Sequence, residues 1–454
     1  MLKDRRDNKL LILCIAASAI LYILFAYNLS RSNFPYLISL FSGLFSIYLI
    51  FISIKEVENK TEILFKAGIF FRLLFLFSIP NLSQDFYRFI WDGRMLINGF
   101  NPYLYLPDEV ITNKLISMPE ARQLYNGMGS LSSGHYTNYP PVNQLCFALA
   151  ALVSGKSIFS SVLTLRLLII VFDLGIYKYG KKLLNALKIP ENNIFLYFIN
   201  PLVIIELTGN LHFEGAMIFF MVLALYHLHI GKYLWAAVLI ALSISMKLIP
   251  LMLLPLLIKY LGFRKSIVFF AIIGVIILFL FLPFFSISFF SNYMSTIVLW
   301  FVNFEFNASI YYILRSIGFS ITGYNIIHIT GKIIPLILIV FILFISFRKQ
   351  DGSLKTLITN MLIVLSAYFF LSTTIHPWYI VSLVILSVFT NMIFPLVWSF
   401  TIILSYYAYS NPVFQENSLF LILEYLVVYG VLAFELYRNI NREYPQRGAE
   451  RCRY

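Results

Sequence analysis

The stretch SIVFFAIIGVIILFLFLPFF, residues 266–285, runs for twenty residues without a charge. A helix of this length spans the hydrocarbon core of a bilayer, as does the earlier run LLILCIAASAILYILFAYNL at 10–29. The whole chain of 454 residues is 60% hydrophobic and only 12% charged, with a mean hydropathy of +0.83. Soluble domains carry about 25% charged residues. The composition therefore excludes an ordinary soluble protein and predicts an all-α polytopic membrane protein.

The net charge of +13 comes from lysines and arginines that lie in short clusters between the apolar runs. This is the positive-inside pattern, so we expect the clusters in the cytoplasm and no nucleic-acid partner. With that orientation residues 1–454 form a single integral membrane domain with roughly fourteen transmembrane helices and both termini inside. The predicted spans are 10–29, 34–54, 63–80, 158–178, 193–208, 214–231, 233–247, 248–260, 266–285, 326–347, 355–374, 377–391, 394–410 and 419–437.

Only one loop between the predicted spans is long, at residues 81–157, and this topology places it outside the cytoplasm. Within it the apolar segment 142–153 is too short to cross, and we expect it to be re-entrant or interfacial. The other polar clusters without basic character also fall at the outer ends of spans. Because charged groups at membrane depth are costly and usually functional, the outer face is predicted to carry the functional site.

The beginning of the long loop, residues 83–98, has the periodicity of an amphipathic helix. Its apolar residues form one narrow stripe, and Asp85, Arg88 and Asp92 lie on an adjacent flank. We predict a helix that lies in the outer membrane interface with its apolar face down. Two interpretations of the flank remain open. Arg88 could neutralise both aspartates as a solvated ion-pair trio, or a carboxylate could be held at head-group level for chemistry.

The longer motif QDFYRFIWDGRMLINGFNPY at 84–103 resembles the first extracytoplasmic loop of polyprenyl-phosphate-dependent GT-C glycosyltransferases. It is most similar to bacterial mannosyltransferase-like proteins related to family 87. Shorter segments resemble the same group in the same order, so the resemblance spans roughly residues 63–380. These segments are YPP at 139–141, the NPL and GNLHFEGA pieces within 200–216, MKLIPLMLLPLL at 246–257, FEFNASIYY at 304–312 and HPWY at 376–379.

This resemblance implies a GT-C-like helical bundle that moves a sugar, with mannose expected, from a polyprenyl-phosphate donor to an acceptor hydroxyl. The acceptor would be a lipid or glycan, and the active site of this multi-pass inner (cytoplasmic) membrane protein would face the periplasm or exterior. Asp85 matches the position of the family's general base, and Asp92 matches a second acidic position with a positioning role. The alternative from another class is a lipid-linked sugar transporter or flippase, which should place polar groups near the midplane in two related halves.

Metal dependence is a separate question, because some relatives carry an Asp-x-Asp or Glu-x-Asp pair associated with a metal ion. Here Gln84 and Phe86 flank Asp85, so that pair is absent. We therefore predict no cofactor and no metal ligands, and leave a metal ion open.

Other polar residues are predicted to contact the substrates. Lys247 suits a lipid phosphate, although snorkelling to the interface would also explain it. His212 and Glu214 could line a sugar pocket, or Glu214 and Asn210 could cap the following helix. The predicted substrate-binding residues are Arg88, Asp92, Arg94, His212, Glu214, Lys247, Glu305, Asn307 and His376.

Several of these assignments have specific roles or structural alternatives. Arg88 and Arg94 are secondary phosphate candidates, and His376 is expected to contact donor phosphate or sugar. Glu305 and Asn307 could bind the acceptor or cap a helix. Trp378 and Tyr379 are predicted aromatic-belt residues, and Arg166 and Asp173 are predicted to make structural contacts with other helices.

Overall fold

The structure, a computed structural model, describes residues 2–54 and 59–451, with side chains at all of these except 2–7, 300–302 and 439–451. Across these ranges the chain is helical, and its sole β-type pairing is an isolated bridge between Phe306 and Thr374. The predicted all-α class is confirmed.

The helices follow one another with short connections. In the first half they are Leu2–Tyr27, Phe34–Ser53, Lys60–Leu74, Asp85–Ile97, Pro107–Thr112, Ala121–Ser133, Pro141–Ser154, Ile158–Ala186, Glu191–Ile194, Phe195–Phe198, Pro201–Val203, Ile204–Gly209 and Glu214–His229. In the second half they are Tyr233–Met246, Ile249–Leu256, Leu257–Leu261, Phe263–Phe281, Leu282–Phe284, Ile287–Val302, Ile310–Thr322, Ile327–Phe347, Leu354–Leu371, Pro377–Ile380, Val381–Val388, Phe394–Thr401, Ile402–Ser410 and Ser418–Arg451.

Seven helices in the described part are long and apolar enough to cross a membrane. An eighth candidate consists of Pro201–Gly209 and Glu214–His229, which meet at an angle of 115°. The predicted spans coincide with single helices or with runs of consecutive helices, four of them over 193–208, which supports a multi-pass membrane protein. Several are short, such as Tyr233–Met246. The number fourteen therefore stays a prediction.

Residues 81–157 fold into four helices, and Asp85–Ile97 is packed among the others. Gly93 allows a close approach to Pro141–Ser154, because a Cβ atom on it would lie 2.2 Å from the carbonyl oxygen of Phe147. Phe89 and Phe147 stack beside this contact, with ring centroids 4.6 Å apart. The helix begins two residues later than predicted. A location outside the cytoplasm stays a prediction.

The polar flank of this helix is more buried than the sequence predicted. Its side chains are buried from Arg88 to Met95, on the polar flank as well as on the apolar stripe. A solvated trio of Asp85, Arg88 and Asp92 is therefore wrong, because the neighbouring helices cover the last two of these residues.

A turn from Gly209 to Glu214 positions two of the predicted substrate-binding residues, His212 and Glu214. Asn200 caps the start of the helix Pro201–Val203, which precedes this turn, by accepting a hydrogen bond from the Leu202 N–H at 2.9 Å. The backbone then continues as a π-helix, Ile204–Gly209, a form that is rare and often found at functional sites. Leu211 follows with a φ of +64°, a left-handed conformation that is costly for a branched side chain.

Arg166 joins this turn to the segment that precedes Asp85. Its buried guanidinium donates to the carbonyl oxygens of Thr208 and Gly209, at 2.8 and 3.1 Å. It also donates to those of Leu76 and Ser78, at 3.1 and 2.7 Å. One side chain thus holds two segments together, and the predicted structural role of Arg166 matches these contacts.

Asp173 lies in the same helix as Arg166, Ile158–Ala186, and contacts other residues. Its carboxylate accepts from the Nε of Arg72 at 2.8 Å and from the hydroxyl of Tyr197 at 3.2 Å, and all three residues are buried. This pair ties the helix Ile158–Ala186 to the helix Lys60–Leu74, which is a structural contact of the predicted kind.

Candidate active site

Asp85 is the first residue of its helix and keeps part of its carboxylate open to solvent. Its side chain is 36% exposed, whereas the neighbouring His212 is 1% exposed. The imidazole Nε2 of His212 lies 3.7 Å from Asp85 Oδ2, which is an ion-pair distance. No hydrogen-bond partner in the described part of the chain occupies that nitrogen. The pair therefore has an open side that can receive another group.

The surroundings of Asp85 alter its acidity. Desolvation acts to raise its pKa, but the contact with His212 and the positive charges of His212 and Lys247 outweigh it. The net result is a pKa below the ordinary value for aspartate. Asp85 is thus a carboxylate at neutral pH and able to accept a proton.

Glu206 supports His212 from behind. It is fully buried in the π-helix, and its Oε2 lies 3.3 Å from His212 Nδ1. The same nitrogen is 3.1 Å from the Glu206 carbonyl oxygen. Tyr406 and Asn210 donate to the two carboxylate oxygens of Glu206 at 2.7 and 3.1 Å. Two carboxylates on opposite sides of one imidazole stabilise its protonated form and fix its orientation.

Asn210 also links this turn to the Asp85 segment, because its side-chain oxygen accepts from the Leu82 N–H at 3.3 Å. The residue before the helix Glu214–His229 is Phe213. Asn210 therefore does not cap that helix, and that alternative is wrong.

Trp378 joins His376 to the site. Its indole lies between two imidazoles, with centroids 3.8 Å from His212 and 4.3 Å from His376. Trp378 and His376 are each only 8% exposed, so the aromatic-belt prediction for Trp378 is wrong. His376 precedes Pro377 at the helix start, as predicted, and its Nδ1 has no described partner.

Lys247 and Glu214 form an ion pair on the same side of the molecule. Glu214 is fully buried and its Oε2 has no described hydrogen-bond partner, whereas the side chain of Lys247 is 19% exposed. The ammonium of Lys247 lies 6.0 Å from the centroid of the Tyr139 ring, at the cation–π limit. Because an ammonium has three donors, Lys247 can bind an anion without releasing Glu214.

The side chains of three predicted substrate-binding residues, Arg88, Asp92 and Arg94, bind other protein groups rather than Asp85. Arg88 Nε donates to Asp92 Oδ1 at 2.8 Å, and Gln144 donates to Asp92 Oδ2 at 3.0 Å. Arg88 also donates to the carbonyl oxygens of Ser132 and His135. Asp92 is fully buried. These partners describe a structural ion pair, and the substrate role of both residues stays a prediction.

Arg94, two residues after Asp92, also binds other protein groups, although its buried Nε has no described hydrogen-bond partner. Its guanidinium pairs with Glu120 at 3.0 Å and donates to the carbonyl oxygens of Pro119 and Lys156. These contacts attach the helix to the rest of the 81–157 region, and a phosphate contact for Arg94 stays a prediction.

Glu305 and Asn307 flank Phe306 in the chain, and the ring centroid of Phe306 lies 5.0 Å from that of His376. Glu305 pairs with Arg315 and accepts from Tyr311 and Asn325. Asn307 has a φ of +49°, and its side chain donates to Glu424 at 3.1 Å. Ser309, rather than either residue, precedes the helix Ile310–Thr322. The helix-cap alternative is therefore wrong, and acceptor binding stays a prediction.

The structure therefore brings Asp85, His212, Glu214, Lys247 and His376 to one side of the bundle. Sequence reasoning missed Glu206, Trp378 and Tyr406. Glu206 lies between the two quoted pieces of 200–216, and a carboxylate in the otherwise apolar run 202–207 was the available signal. Tyr406 carries no comparable signal, since it is one of 30 tyrosines in an apolar chain.

The described ranges contain no set of side chains that could ligate a metal ion. No group of three or more His, Cys, Asp or Glu side chains there is placed to hold a metal ion. His212, Glu214 and His376 thus do not converge as ligands.

Residues 19–262, just over half of the chain, match the family described as alpha-(1->6)-mannopyranosyltransferase, N-terminal domain. The chain belongs to this family. The resemblance to mannosyltransferase-like GT-C proteins is thereby confirmed, and the protein is a glycosyltransferase. No curated protein and no solved structure matches the chain significantly. The match includes Asp85, Glu206, His212 and Lys247, whereas His376 lies beyond it.

Proposed function

We propose that this glycosyltransferase moves a mannosyl group from a polyprenyl-phosphate donor to an acceptor hydroxyl, with Asp85 as the general base. The observation that carries the proposal is the arrangement around Asp85. It is a partly exposed carboxylate beside buried polar groups that have free hydrogen-bonding capacity, namely His212 Nε2, Glu214 Oε2 and His376 Nδ1. Buried polar atoms are ordinarily paired, so such a cluster favours a ligand.

The reaction needs few groups from the protein. Asp85 would take the proton of the acceptor hydroxyl, while that oxygen forms a bond to the anomeric carbon of the donor sugar. The bond between this carbon and the phosphate oxygen breaks, and the phosphate leaves with the electron pair. A phosphate anion is a good leaving group, so no protonated acid is required on that side.

Positive charge near the leaving phosphate would stabilise the transition state. Lys247 and the protonated form of His212 are the cations beside Asp85, and both lower its pKa. In the proposed reaction Lys247 contacts the donor phosphate. His212 keeps Asp85 ionised and is itself held by Glu206, which acts as a positioning residue.

The side of the membrane belongs to the same proposal. Asp85, His212 and Lys247 lie together beside the turn that Arg166 contacts. Lys178, Lys181 and Lys182 lie towards the other end of the helix that carries Arg166, Ile158–Ala186. With the positive-inside rule the Asp85 end faces the periplasm or exterior, where a polyprenyl carrier would present the sugar. The acceptor, a lipid or glycan, would approach the exposed edge of Asp85.

The test is transfer by the purified full chain in detergent with labelled polyprenyl-phosphate mannose. A nucleotide-activated mannose serves as the competing donor. We expect transfer from the lipid donor only. Glu109→Gln, which changes an exposed carboxylate of the same region, should leave transfer unchanged and is the matched control. Transfer from the nucleotide sugar alone would overturn the proposed donor.

One structural feature favours transport as a second function. The helices Pro201–Gly209 and Glu214–His229 are broken at the site, and broken helices are common in transporters. Family membership supports the enzyme. Movement of labelled polyprenyl-phosphate mannose from one leaflet of proteoliposomes to the other without an acceptor would demonstrate transport, and we expect no more than in protein-free liposomes.

A further inference from the structure

A second site lies at the end of the bundle remote from Asp85. A cavity of about 860 Å³ opens there between the helices Lys60–Leu74, Ile158–Ala186 and Glu214–His229. We call it the basic cavity and define it by Tyr177, Lys178, Lys181, Lys182, Tyr226 and His229.

The helix Glu214–His229 shows how far apart the two sites are. Glu214 at its start pairs with Lys247, and His229 at its end lines the basic cavity. Fifteen residue steps of an α-helix span about 22 Å. The helix Ile158–Ala186 has the same polarity, since Arg166 contacts the turn beside His212 and Lys182 lines the cavity. The basic cavity is therefore a site of its own.

The charges in the cavity are only partly neutralised. Glu191 pairs with Lys181 at 3.0 Å and also accepts from Asn185 at 2.9 Å. Within the described ranges no carboxylate lies at ion-pair distance from Lys178 or Lys182. The ammonium of Lys182 instead lies 5.3 and 5.6 Å from the ring centroids of Tyr179 and Tyr226. Two exposed cations therefore remain available to an anion.

One wall of the same cavity is apolar. Phe65 and Leu174 line it, and Phe65 stacks on Tyr177 with centroids 4.4 Å apart. A soluble anion would use only the lysines, whereas a phospholipid would use both parts. Its phosphate would meet the ammonium groups, and its glycerol and upper acyl carbons would cover the apolar wall. Basic pockets between membrane helices bind anionic head groups in this way.

We propose that the basic cavity binds the phosphate head group of an anionic phospholipid, taken from the leaflet opposite Asp85. Lys178 and Lys182 contact the phosphate, and Phe65 contacts the lipid body. If the lysines served only to set the topology of the chain, they would need neither a cavity nor an apolar wall.

The test is titration of the delipidated full chain in detergent with short-chain phosphatidylglycerol, with phosphatidylcholine as the neutral comparison. We expect binding of the first lipid to weaken about 10- to 100-fold in Lys178→Gln/Lys182→Gln, since both lysines are exposed and each contributes a modest attraction to an anionic head group. The matched control is Lys259→Gln/Lys265→Gln, which removes the same charge from another exposed cluster at that end of the bundle and should change binding less than about twofold.

Two further variants separate a binding role from a structural one. Lys178→Arg/Lys182→Arg keeps the charge and should keep the binding. Glu191→Gln removes the acid that holds Lys181, so it should tighten binding. Thermal unfolding of each variant checks the fold, and Lys182→Gln alone replaces the double variant if that one fails to fold.

Three results would overturn the proposal. They are equal losses in the cavity pair and the control pair, equal affinity for the two lipids, and displacement of phosphatidylglycerol by millimolar inorganic phosphate. The last result would assign the cavity to a soluble phosphate instead of a lipid.

Discussion

Asp85 and Asp92 lie two turns apart on one helix and have opposite surroundings. Asp92 is fully buried, and Arg88 and Gln144 occupy its two carboxylate oxygens. Asp85 is 36% exposed, and its nearest cation, His212, remains at 3.7 Å. A satisfied carboxylate contributes to stability, whereas a partly free one is available for chemistry. The motif therefore combines a structural acid with a candidate catalytic acid.

Replacing each carboxylate with an amide tests most directly whether Asp85 and Asp92 have different roles. We expect Asp85→Asn to lower transfer about 10²–10⁴-fold, because the amide cannot accept a proton. Donor binding and thermal stability should stay near those of the unchanged protein. Initial rates and donor titrations measure the two effects. If Asp85→Asn kept full turnover while a folded Asp92→Asn variant was inactive, the general base would be Asp92.

The second prediction concerns stability at Asp92. We expect Asp92→Ala to reduce the free energy of unfolding by about 3–5 kcal/mol, because the buried guanidinium of Arg88 loses its carboxylate. Thermal unfolding in detergent measures the change. The double variant Asp92→Ala/Arg88→Met should recover part of it, since it removes the unpaired charge. An unchanged melting temperature in Asp92→Ala would show that the pair does not stabilise the fold.

Lys247 tests the phosphate end of the site. We expect Lys247→Met to weaken donor binding by about 1.5–3 kcal/mol, the range of a hydrogen bond to a charged group. Because the change also leaves Glu214 unpaired, Glu214→Gln/Lys247→Met is the variant for comparison. A donor titration reports the affinity. Unchanged affinity in both variants would leave only the snorkelling interpretation.

The smallest expected effect is a shift in the pH dependence of kcat/KM. His212 helps to lower the pKa of Asp85, so His212→Gln should raise that pKa. A base with a higher pKa becomes protonated at higher pH, and the acidic limb of kcat/KM should therefore move to higher pH. His135→Gln, a histidine outside the site, is the control. An unmoved acidic limb in His212→Gln would separate His212 from the ionisation of Asp85.

Most helices were predictable, because an apolar run must bury its backbone polar groups in a bilayer and helices do so locally. The sequence also indicated Asp85, His212, Glu214, Lys247 and His376 as candidates. The family resemblance assigned different roles to Asp85 and Asp92, but the helical periodicity alone could not separate them, since the burial of Asp92 depends on Gln144, about fifty residues away. The contact between Glu206 and Tyr406 joins residues 200 positions apart and has no local pattern. Such pairings follow from the packing of the bundle.

That last contact has a consequence for biosynthesis. Glu206 is synthesised 200 residues before Tyr406, and His212 is synthesised well before its stacking partner Trp378. At about 5–20 residues per second, the ribosome needs roughly 10–40 s to produce the intervening chain. During this interval the nascent chain carries Glu206, an acidic group within a candidate membrane span, without the Tyr406 hydroxyl that donates to it. The packing around Glu206 and His212 is therefore completed only when the helices that carry Trp378 and Tyr406 have been synthesised.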